Sequence, residues 1–196
     1  MCDERREAVP RVRRVPVGLL ETNCYVVFDP AREDCAVIDP GDDAETVLRA
    51  AEGRKPAAVL LTHGHFDHIG AVRALAEKGA EVLIHEADAP MLTDPRLNAC
   101  GMIGRVITAP PADRVFRDGD TLSAAGLTFT VIHTPGHTPG SCCFRCGDLL
   151  FTGDTVMAGG FGRTDLPGGS EADMRASLRK ILPLARELTI CGGHGE

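Results

Sequence analysis

The sequence contains no tryptophan and a single tyrosine among its 196 residues, so few aromatic rings are available to stack on nucleic-acid bases or sugars. Basic residues are also outnumbered, with 21 Lys and Arg against 28 Asp and Glu, and the net charge of −7 disfavours nucleic acid, which requires a basic face. No apolar run approaches the roughly 18 residues of a membrane span. These shortages predict a protein that binds neither nucleic acid nor membrane.

The first residues, MCDERREAVPRV, carry charges where a signal peptide would have its apolar segment. The eight cysteines are scattered, several of them in apolar runs such as TNCYVVF, where cysteine behaves as a small apolar side chain. We therefore predict a cytoplasmic protein with reduced cysteines. Cys143 and Cys146 have the spacing of a zinc or redox motif, but they lie in the strand-like run SCCFRCGDLLF without a partner pair. We interpret them as part of a strand.

Length and apolar patterning predict one α/β domain over residues 1–196. The predicted strands are 12–20, 23–28, 35–38, 57–61, 81–85, 127–132 and 188–191, with a hairpin over 141–151. The predicted helices are 42–51, one helix between 69 and 79, and 171–184. Residues 86–118 are broken by several prolines and are predicted as loops with one short helical piece.

The strongest chemical signal is His63-x-His65-x-Asp67-His68, in which four potential metal ligands fall within six residues. In an extended loop His63 and His65 point to the same side, so both can reach one ion. The helix that follows redirects Asp67 and His68 toward a second position. Imidazole and carboxylate ligands, unlike the thiolates of a closed structural zinc site, leave the metal a stronger Lewis acid with room for water. The cluster therefore predicts a catalytic metal centre.

The run LLTHGHFDHIG resembles the signature of the metallo-β-lactamase superfamily, which is H-x-H-x-D-H after a buried strand. Four further motifs resemble those of the family and follow its order along the chain: VIDPG, HTPGHTPGS, LFTGD and GGHGE. The resemblance implies an αββα sandwich, in which two mixed β-sheets are flanked by helices. It also implies a metal-dependent enzyme.

Carried onto this sequence, the resemblance implies two divalent metal ions per chain and seven ligands. The first ion would be held by His63, His65 and His137, and the second by Asp67, His68 and His194, with Asp154 bridging both. Asp39 and Thr62 are expected to steady the ligand loop, since imidazole orientation is normally fixed by such neighbours. His133 and His85 are expected to be structural.

Two adjacent divalent ions lower the pKa of a shared water to near neutrality and so supply hydroxide at pH 7. One ion is expected to polarise the substrate carbonyl while the other stabilises the leaving group. We assign the catalytic roles to Asp67 and Asp154, with Asp67 as an ionised ligand that orients the attacking water. Zinc is the expected metal, and iron and manganese are the alternatives because these ligands accept all three.

Within the superfamily, TNCY and GFGRTDLPGGS resemble the glyoxalase II-like branch, which hydrolyses thioesters such as hydroxyacylglutathione (S-lactoylglutathione). The sequence stops two residues after His194, so it resembles the short bacterial form without the helical domain that grips glutathione. The resemblance therefore implies a dinuclear hydrolase acting on a small thioester. In the second motif, Gly160, Arg163 and Asp165 are candidate substrate-binding residues.

Two other activities of the superfamily remain as alternatives. Persulfide dioxygenases share H-x-H-x-D-H and the GRTD loop but hold a single iron through two histidines and an aspartate, here His63, His137 and Asp154. Lactonases are hydrolases of the same superfamily. A binding module without catalysis would be expected to have lost a ligand, whereas all seven positions carry the required residue type.

Overall fold

Eleven strands and four α-helices make up residues 9–195, the part of the chain that the computed structural model describes. The strands are β1 (Arg11–Val17), β2 (Thr22–Phe28), β3 (Asp34–Ile38), β4 (Lys55–Leu60), β5 (Glu81–His85), β6 (Arg114–Phe116), β7 (Thr121–Ala124), β8 (Leu127–His133), β9 (Cys142–Cys146), β10 (Leu149–Gly153) and β11 (Thr189–Gly192). The helices are α1 (Ala44–Ala50), α2 (Phe66–Ile69), α3 (Val72–Ala76) and α4 (Glu171–Ala185). The charged segment 1–8, on which the predicted localisation partly rests, lies outside the described residues.

The strands form two mixed sheets. The first has the order β1-β2-β3-β4-β5-β6, antiparallel from β1 to β3 and parallel from β3 to β6. The second has the order β11-β10-β9-β8-β7, with only β10 and β11 parallel. In the first sheet β4 leads into the histidine cluster, and in the second sheet β8, β10 and β11 lead into the other predicted ligands and run in the same direction. Their carboxyl ends, where an α/β fold collects functional groups, lie at one edge of each sheet.

The apolar core has three layers, which follow from strands with both faces buried. Between the sheets lie four phenylalanines that are almost completely buried: Phe116, Phe129, Phe144 and Phe151. Outside the first sheet, Val47 of α1 and Leu75 of α3 pack on strand residues. Outside the second sheet, Ile181 of α4 packs on β9 and β10. Helices therefore flank both sheets, and the αββα sandwich that the resemblance implies is confirmed.

The structure corrects two parts of the predicted element order. The single helix predicted after the histidine cluster is two short helices, because Gly70 donates its N–H to Gly41 O and Ala71 donates its N–H to Pro40 O, both at 2.9 Å. Because these two amides bind carbonyls of the loop after β3, they do not form the hydrogen bonds that a continuous helix would need. Strands β6 and β7 were absent from the prediction because they have only 3 and 4 residues and are partly exposed.

Cys143 and Cys146 lie within β9, as predicted, and both are buried free thiols. Burial raises the pKa of each to about 11, so the reactive thiolate is scarce at neutral pH. Among residues 9–195, no helix has the length and apolar content that a membrane crossing needs.

Candidate metal centre

All seven predicted ligands converge where strands of the two sheets end. They form three overlapping groups whose ligand atoms lie within 4.8 Å of one another: His63, His65 and His137; His63, His68 and Asp154; and Asp67, His68 and His194. The first cluster of residues follows β4, while Asp154 follows β10 and His194 follows β11. His137 follows β8, so the loops after four different strands supply one site.

Asp154 lies between the two predicted ion positions. Its Oδ2 is 3.3 Å from His137 Nε2, and its Oδ1 is 3.5 Å from His68 Nε2 and 3.7 Å from His194 Nε2. Asp67 Oδ2 is 3.3 Å from the same His194 nitrogen. Each Asp154 oxygen therefore faces a different set of imidazoles, which is the arrangement that a bridging carboxylate requires.

A hydrogen-bond relay fixes the ring of His63. Thr62 donates its hydroxyl proton to Asp39 Oδ2 at 2.6 Å, and Asp39 Oδ1 accepts the Thr62 backbone N–H at 2.8 Å. The hydroxyl has then used its only proton, so at its 3.1 Å contact with His63 Nδ1 it must accept. His63 therefore carries its proton on Nδ1 and presents the Nε2 lone pair to the centre. Asp39 and Thr62 thus make the contacts expected of them.

Backbone carbonyls orient two more imidazoles. His137 donates from Nδ1 to Arg163 O at 2.7 Å, and His194 donates from Nδ1 to Leu20 O at 3.0 Å. Because a carbonyl only accepts, both rings are left with Nε2 free to bind a cation. His137 Nε2 also lies 2.8 Å from Nδ1 of His65. These two nitrogens are therefore close enough to act as ligands of the same ion.

Buried polar atoms without partners test whether a cation fits. Within residues 9–195, six buried side-chain N or O atoms lack a hydrogen-bond partner, and five belong to this site: His63 Nε2, His65 Nε2, His68 Nδ1 and Nε2, and Asp154 Oδ1. Each such atom costs about 1–3 kcal/mol when it is left unpaired. His68 Nδ1 faces Asp39 Oδ2 at 3.0 Å, whereas His68 Nε2 lies 3.5 Å from Asp154 Oδ1 within one of the ligand groups. Imidazole nitrogens and carboxylate oxygens are the ligands that divalent metal ions prefer. The residues present therefore fit divalent metal ions.

The pKa values divide the site into two halves. Burial lowers the pKa of His65 to about 3, and burial also lowers that of His63. Around His68, burial opposes the charged ring but is outweighed by Asp67, Asp39 and other carboxylates, so its pKa is raised. The pKa of Asp67 is lowered, because His68 and other imidazoles outweigh the effect of burial. One half thus presents neutral imidazoles, and the other presents ionised carboxylates.

The glycine of the VIDPG motif permits a close approach of two loops. A Cβ atom on Gly41 would overlap the carbonyl oxygen of Asp67, while Thr22 donates its hydroxyl to Asp67 Oδ2 at 3.0 Å. Glycine at this position lets the loop after β3 pack against the ligand loop and hold Asp67 in place.

Asp88 is a residue of this site that the sequence analysis missed. It is fully buried, and its carboxylate accepts hydrogen bonds from Gly64 N at 3.0 Å, Thr138 Oγ1 at 2.6 Å and Gly140 N at 2.6 Å. Burial raises its pKa, and these hydrogen bonds oppose the rise. The only signal in the sequence was an acidic residue shortly after a buried strand, within the segment predicted as loops.

His85 and His133 lie outside the three ligand groups. Their rings stack at 4.2 Å with 8° between the planes, and His133 Nε2 lies 2.9 Å from Pro139 O. The guanidinium of Arg163 binds Asp165 on the surface, at 2.6 and 2.7 Å. A role of Gly160, Arg163 and Asp165 in substrate binding stays a prediction, whereas the Arg163 carbonyl is placed to orient His137.

Comparison with known proteins places this site in a family. A family model described as the metallo-beta-lactamase superfamily matches residues 17–194. The chain is 36% identical to the probable metallo-hydrolase YqgX of Bacillus subtilis, covering 93% of this chain and 89% of that protein. It is 35% identical to hydroxyacylglutathione hydrolase GloC of Haemophilus influenzae, with coverage of 92% and 89%.

Solved structures also resemble this chain over nearly all of its length. The BLEG-1 B3 metallo-beta-lactamase has a TM-score of 0.90 at 39% identity, covering 95% of this chain and 92% of that chain. TTHA1623 in a di-iron-bound form has a TM-score of 0.82 at 38% identity, with coverage of 94% and 93%. The chain therefore belongs to the metallo-beta-lactamase superfamily and is a metallo-hydrolase of that family.

Proposed function

We propose that the protein hydrolyses a small thioester, of the hydroxyacylglutathione class, at a centre of two divalent metal ions. The observation that carries the proposal is the position of Asp154, whose two oxygens lie 3.3 Å from His137 Nε2 and 3.5 Å from His68 Nε2. One carboxylate facing two ligand sets suits two ions better than one. The 35% identity to a hydroxyacylglutathione hydrolase over 92% of the chain supports the substrate class.

In this proposal, His63, His65 and His137 hold one ion, Asp67, His68 and His194 hold the other, and Asp154 bridges them. Divalent ions at such a site lower the pKa of bound water and polarise a carbonyl oxygen. The ions are expected to be zinc, with iron or manganese as alternatives, since all three accept these donors.

The chain's own residues prepare the site before any ion arrives. The low pKa of His65 keeps that ring neutral and able to donate a lone pair. The lowered pKa of Asp67 keeps its carboxylate ionised, so it acts as a ligand that orients water and not as a proton donor. The Thr62 relay and the Arg163 carbonyl hold two imidazoles in the tautomer that presents Nε2 inward.

The persulfide dioxygenase alternative uses only His63, His137 and Asp154. It would leave the second ligand set without a function, although Asp67 Oδ2 and His194 Nε2 lie 3.3 Å apart and share the site with His68. The convergence of these remaining ligands favours the hydrolase. The similarity to BLEG-1 makes a β-lactam a third substrate to include in the test.

The test combines elemental analysis with an activity screen on a single preparation, reconstituted separately with zinc, iron and manganese. We expect about two ions per chain and hydrolysis of S-lactoylglutathione, detected by release of free thiol. His194→Gln should lower both metal content and activity, whereas His133→Gln, outside the ligand groups, should change neither. One iron per chain with oxygen uptake on glutathione persulfide would overturn the proposal, as would turnover of a β-lactam or a lactone without turnover of any thioester.

A further inference from the structure

A cavity of about 190 Å³ adjoins the proposed ion site, between the β1–β2 turn and the loop that precedes β6. Its apolar lining consists of Val17, Leu19, Leu20, Phe66, Ile103 and Ile107. Three charged residues, Asp42, Asp67 and Arg105, also line it. We call this space the Arg105 cavity.

Two residues join the wall of the Arg105 cavity to the metal site. Asp67 forms part of its wall and is also a proposed ligand, with Oδ2 3.3 Å from His194 Nε2. Leu20 lines the cavity and accepts the His194 ring N–H at 3.0 Å through its carbonyl. A group that occupies the cavity therefore lies beside Asp67, one of the proposed ligands of the second ion.

Size and lining restrict what the cavity can hold. Sites that enclose a whole small-molecule ligand usually measure about 300–1,000 Å³, so a cavity of 190 Å³ accommodates one arm of a substrate. Leu19 is 82% exposed and Leu20 is 47% exposed, which leaves apolar surface at the rim for a ligand to cover. A short aliphatic arm suits this lining.

Of the three charged residues in the lining, Arg105 is the one that can bind an anionic end of that arm. The two carboxylates of the lining already have hydrogen-bond partners within the protein. Asp67 accepts the Thr22 hydroxyl at 3.0 Å, and Asp42 Oδ1 accepts the Asp43 backbone N–H at 2.8 Å. Arg105 is exposed and is in no ion pair with the residues of the described part of the chain. A guanidinium binds a carboxylate through paired, charge-assisted hydrogen bonds.

We propose that the Arg105 cavity is a specificity pocket for a short aliphatic arm of the substrate that ends in a carboxylate on Arg105. This inference rests on the proposed thioester hydrolase function and adds to it the chemistry of one substrate arm. That arm is either the acyl group or the thiol group of the thioester, and the experiment separates the two sources.

The first experiment compares thioesters that end in a carboxylate with carboxamides of the same length, placed on the acyl arm in one series and on the thiol arm in another. We expect kcat/KM to be about tenfold higher for the carboxylate in one of the two series, the advantage of a hydrogen bond to a charged group. Arg105→Met should remove the preference by lowering kcat/KM for the carboxylate to the value for the carboxamide of the same length. The matched control is Arg114→Met, which replaces an exposed arginine outside the cavity.

A second experiment measures binding without turnover. Non-hydrolysable thioether analogues of the same compounds are titrated calorimetrically into wild type, Ile103→Trp, which fills the cavity, and Met102→Trp, an exposed neighbour outside it. We expect Ile103→Trp alone to weaken binding of the carboxylate thioether by tenfold or more. Equal affinity for carboxylate and carboxamide, unaffected by Arg105→Met, would overturn the inference even if thioesters are hydrolysed. If no thioester is hydrolysed but thioether binding depends on Arg105, the pocket assignment stands and the proposed function fails.

Discussion

Asp88 accepts a hydrogen bond from the backbone N–H of Gly140 at 2.6 Å, across 52 residues of chain. The same carboxylate accepts the N–H of Gly64, between the first two histidines of the cluster, at 3.0 Å. It also accepts the hydroxyl of Thr138, next to His137, at 2.6 Å. One buried acid therefore joins the two loops that carry the first set of ligands, and we infer that it positions them.

Replacement of Asp88 by asparagine should weaken metal binding. The asparagine side chain has nearly the same size as the native one, but its amide nitrogen cannot accept a hydrogen bond, so at least one of the three donors is left unpaired at a cost of about 1–3 kcal/mol. Loss of such a supporting contact typically lowers metal affinity about 10–100-fold. Competition with a chromophoric chelator measures the affinity, and thermal unfolding of the metal-free protein measures the loss of stability.

A matched control for this change is Asp113→Asn. Asp113 also accepts a backbone N–H, that of Val82 at 2.8 Å, but it contacts neither ligand loop. We expect this variant to lose stability while its metal affinity stays at the wild-type value. Wild-type affinity in Asp88→Asn would show that Asp88 supports the fold without positioning the ligands.

The close approach at Gly41 gives a second prediction. An alanine Cβ there would overlap the carbonyl oxygen of Asp67, so Gly41→Ala must push the ligand loop away from the loop after β3. We expect a lower melting temperature and a loss of metal, measured by calorimetry and elemental analysis. Gly101→Ala is the control, because nothing lies within 4 Å of a Cβ built there, and it should unfold at or above the wild-type temperature. A fully metal-loaded Gly41→Ala protein would contradict the prediction.

The ligands could be found from the sequence because they stand in short motifs directly after buried strands. His63, His65, Asp67 and His68 share six residues, and their spacing alone indicates a metal site. Asp88 could not be found in this way, because its three partners lie 24, 50 and 52 residues away and are backbone or hydroxyl groups. Only the fold brings those donors to one carboxylate.

Contacts with residues distant in sequence also determine two features that the sequence analysis missed, which are β6 and the break between α2 and α3. Strand β6 has three residues and pairs in parallel with β5, so its own sequence gives almost no periodic signal. The break between α2 and α3 arises where Gly70 and Ala71 donate to the loop after β3. In contrast, β4 and β5 are continuous apolar runs, and burial on both faces made them predictable.

Removal of the Asp154 carboxylate should disrupt both halves of the centre. Asp154→Ala takes away the oxygens that lie 3.3 Å from His137 Nε2 and 3.5 Å from His68 Nε2. We expect loss of measurable thioester hydrolysis and a fall in bound metal from about two ions to one or none. Asp148→Ala, an exposed aspartate in the β9–β10 turn, is the control and should keep both. Retained turnover with two ions bound would exclude Asp154 as the bridging ligand.

The final prediction concerns protons released on metal binding. Burial lowers the pKa of His65 to about 3, below its ordinary value of about 6.5, so at pH 7 the ring has no proton to give up. Burial also disfavours the charge on His68, but Asp67, Asp39 and Asp154 outweigh it and raise its pKa, which favours the protonated ring in the metal-free protein. Since a metal binds only the neutral ring, we expect His68 to release a proton when the second ion enters.

Calorimetric titration of the metal-free protein with zinc at pH 7, in two buffers of different ionisation enthalpy, counts these protons. His68→Gln should release fewer protons than wild type, and His65→Gln should release as many as wild type for each ion bound. His65 would contribute to proton release only below its pKa of about 3, where the ring is protonated and the proton competes with the metal. An equal loss of proton release in both variants at pH 7 would contradict the division of the site into a neutral half and a charged half.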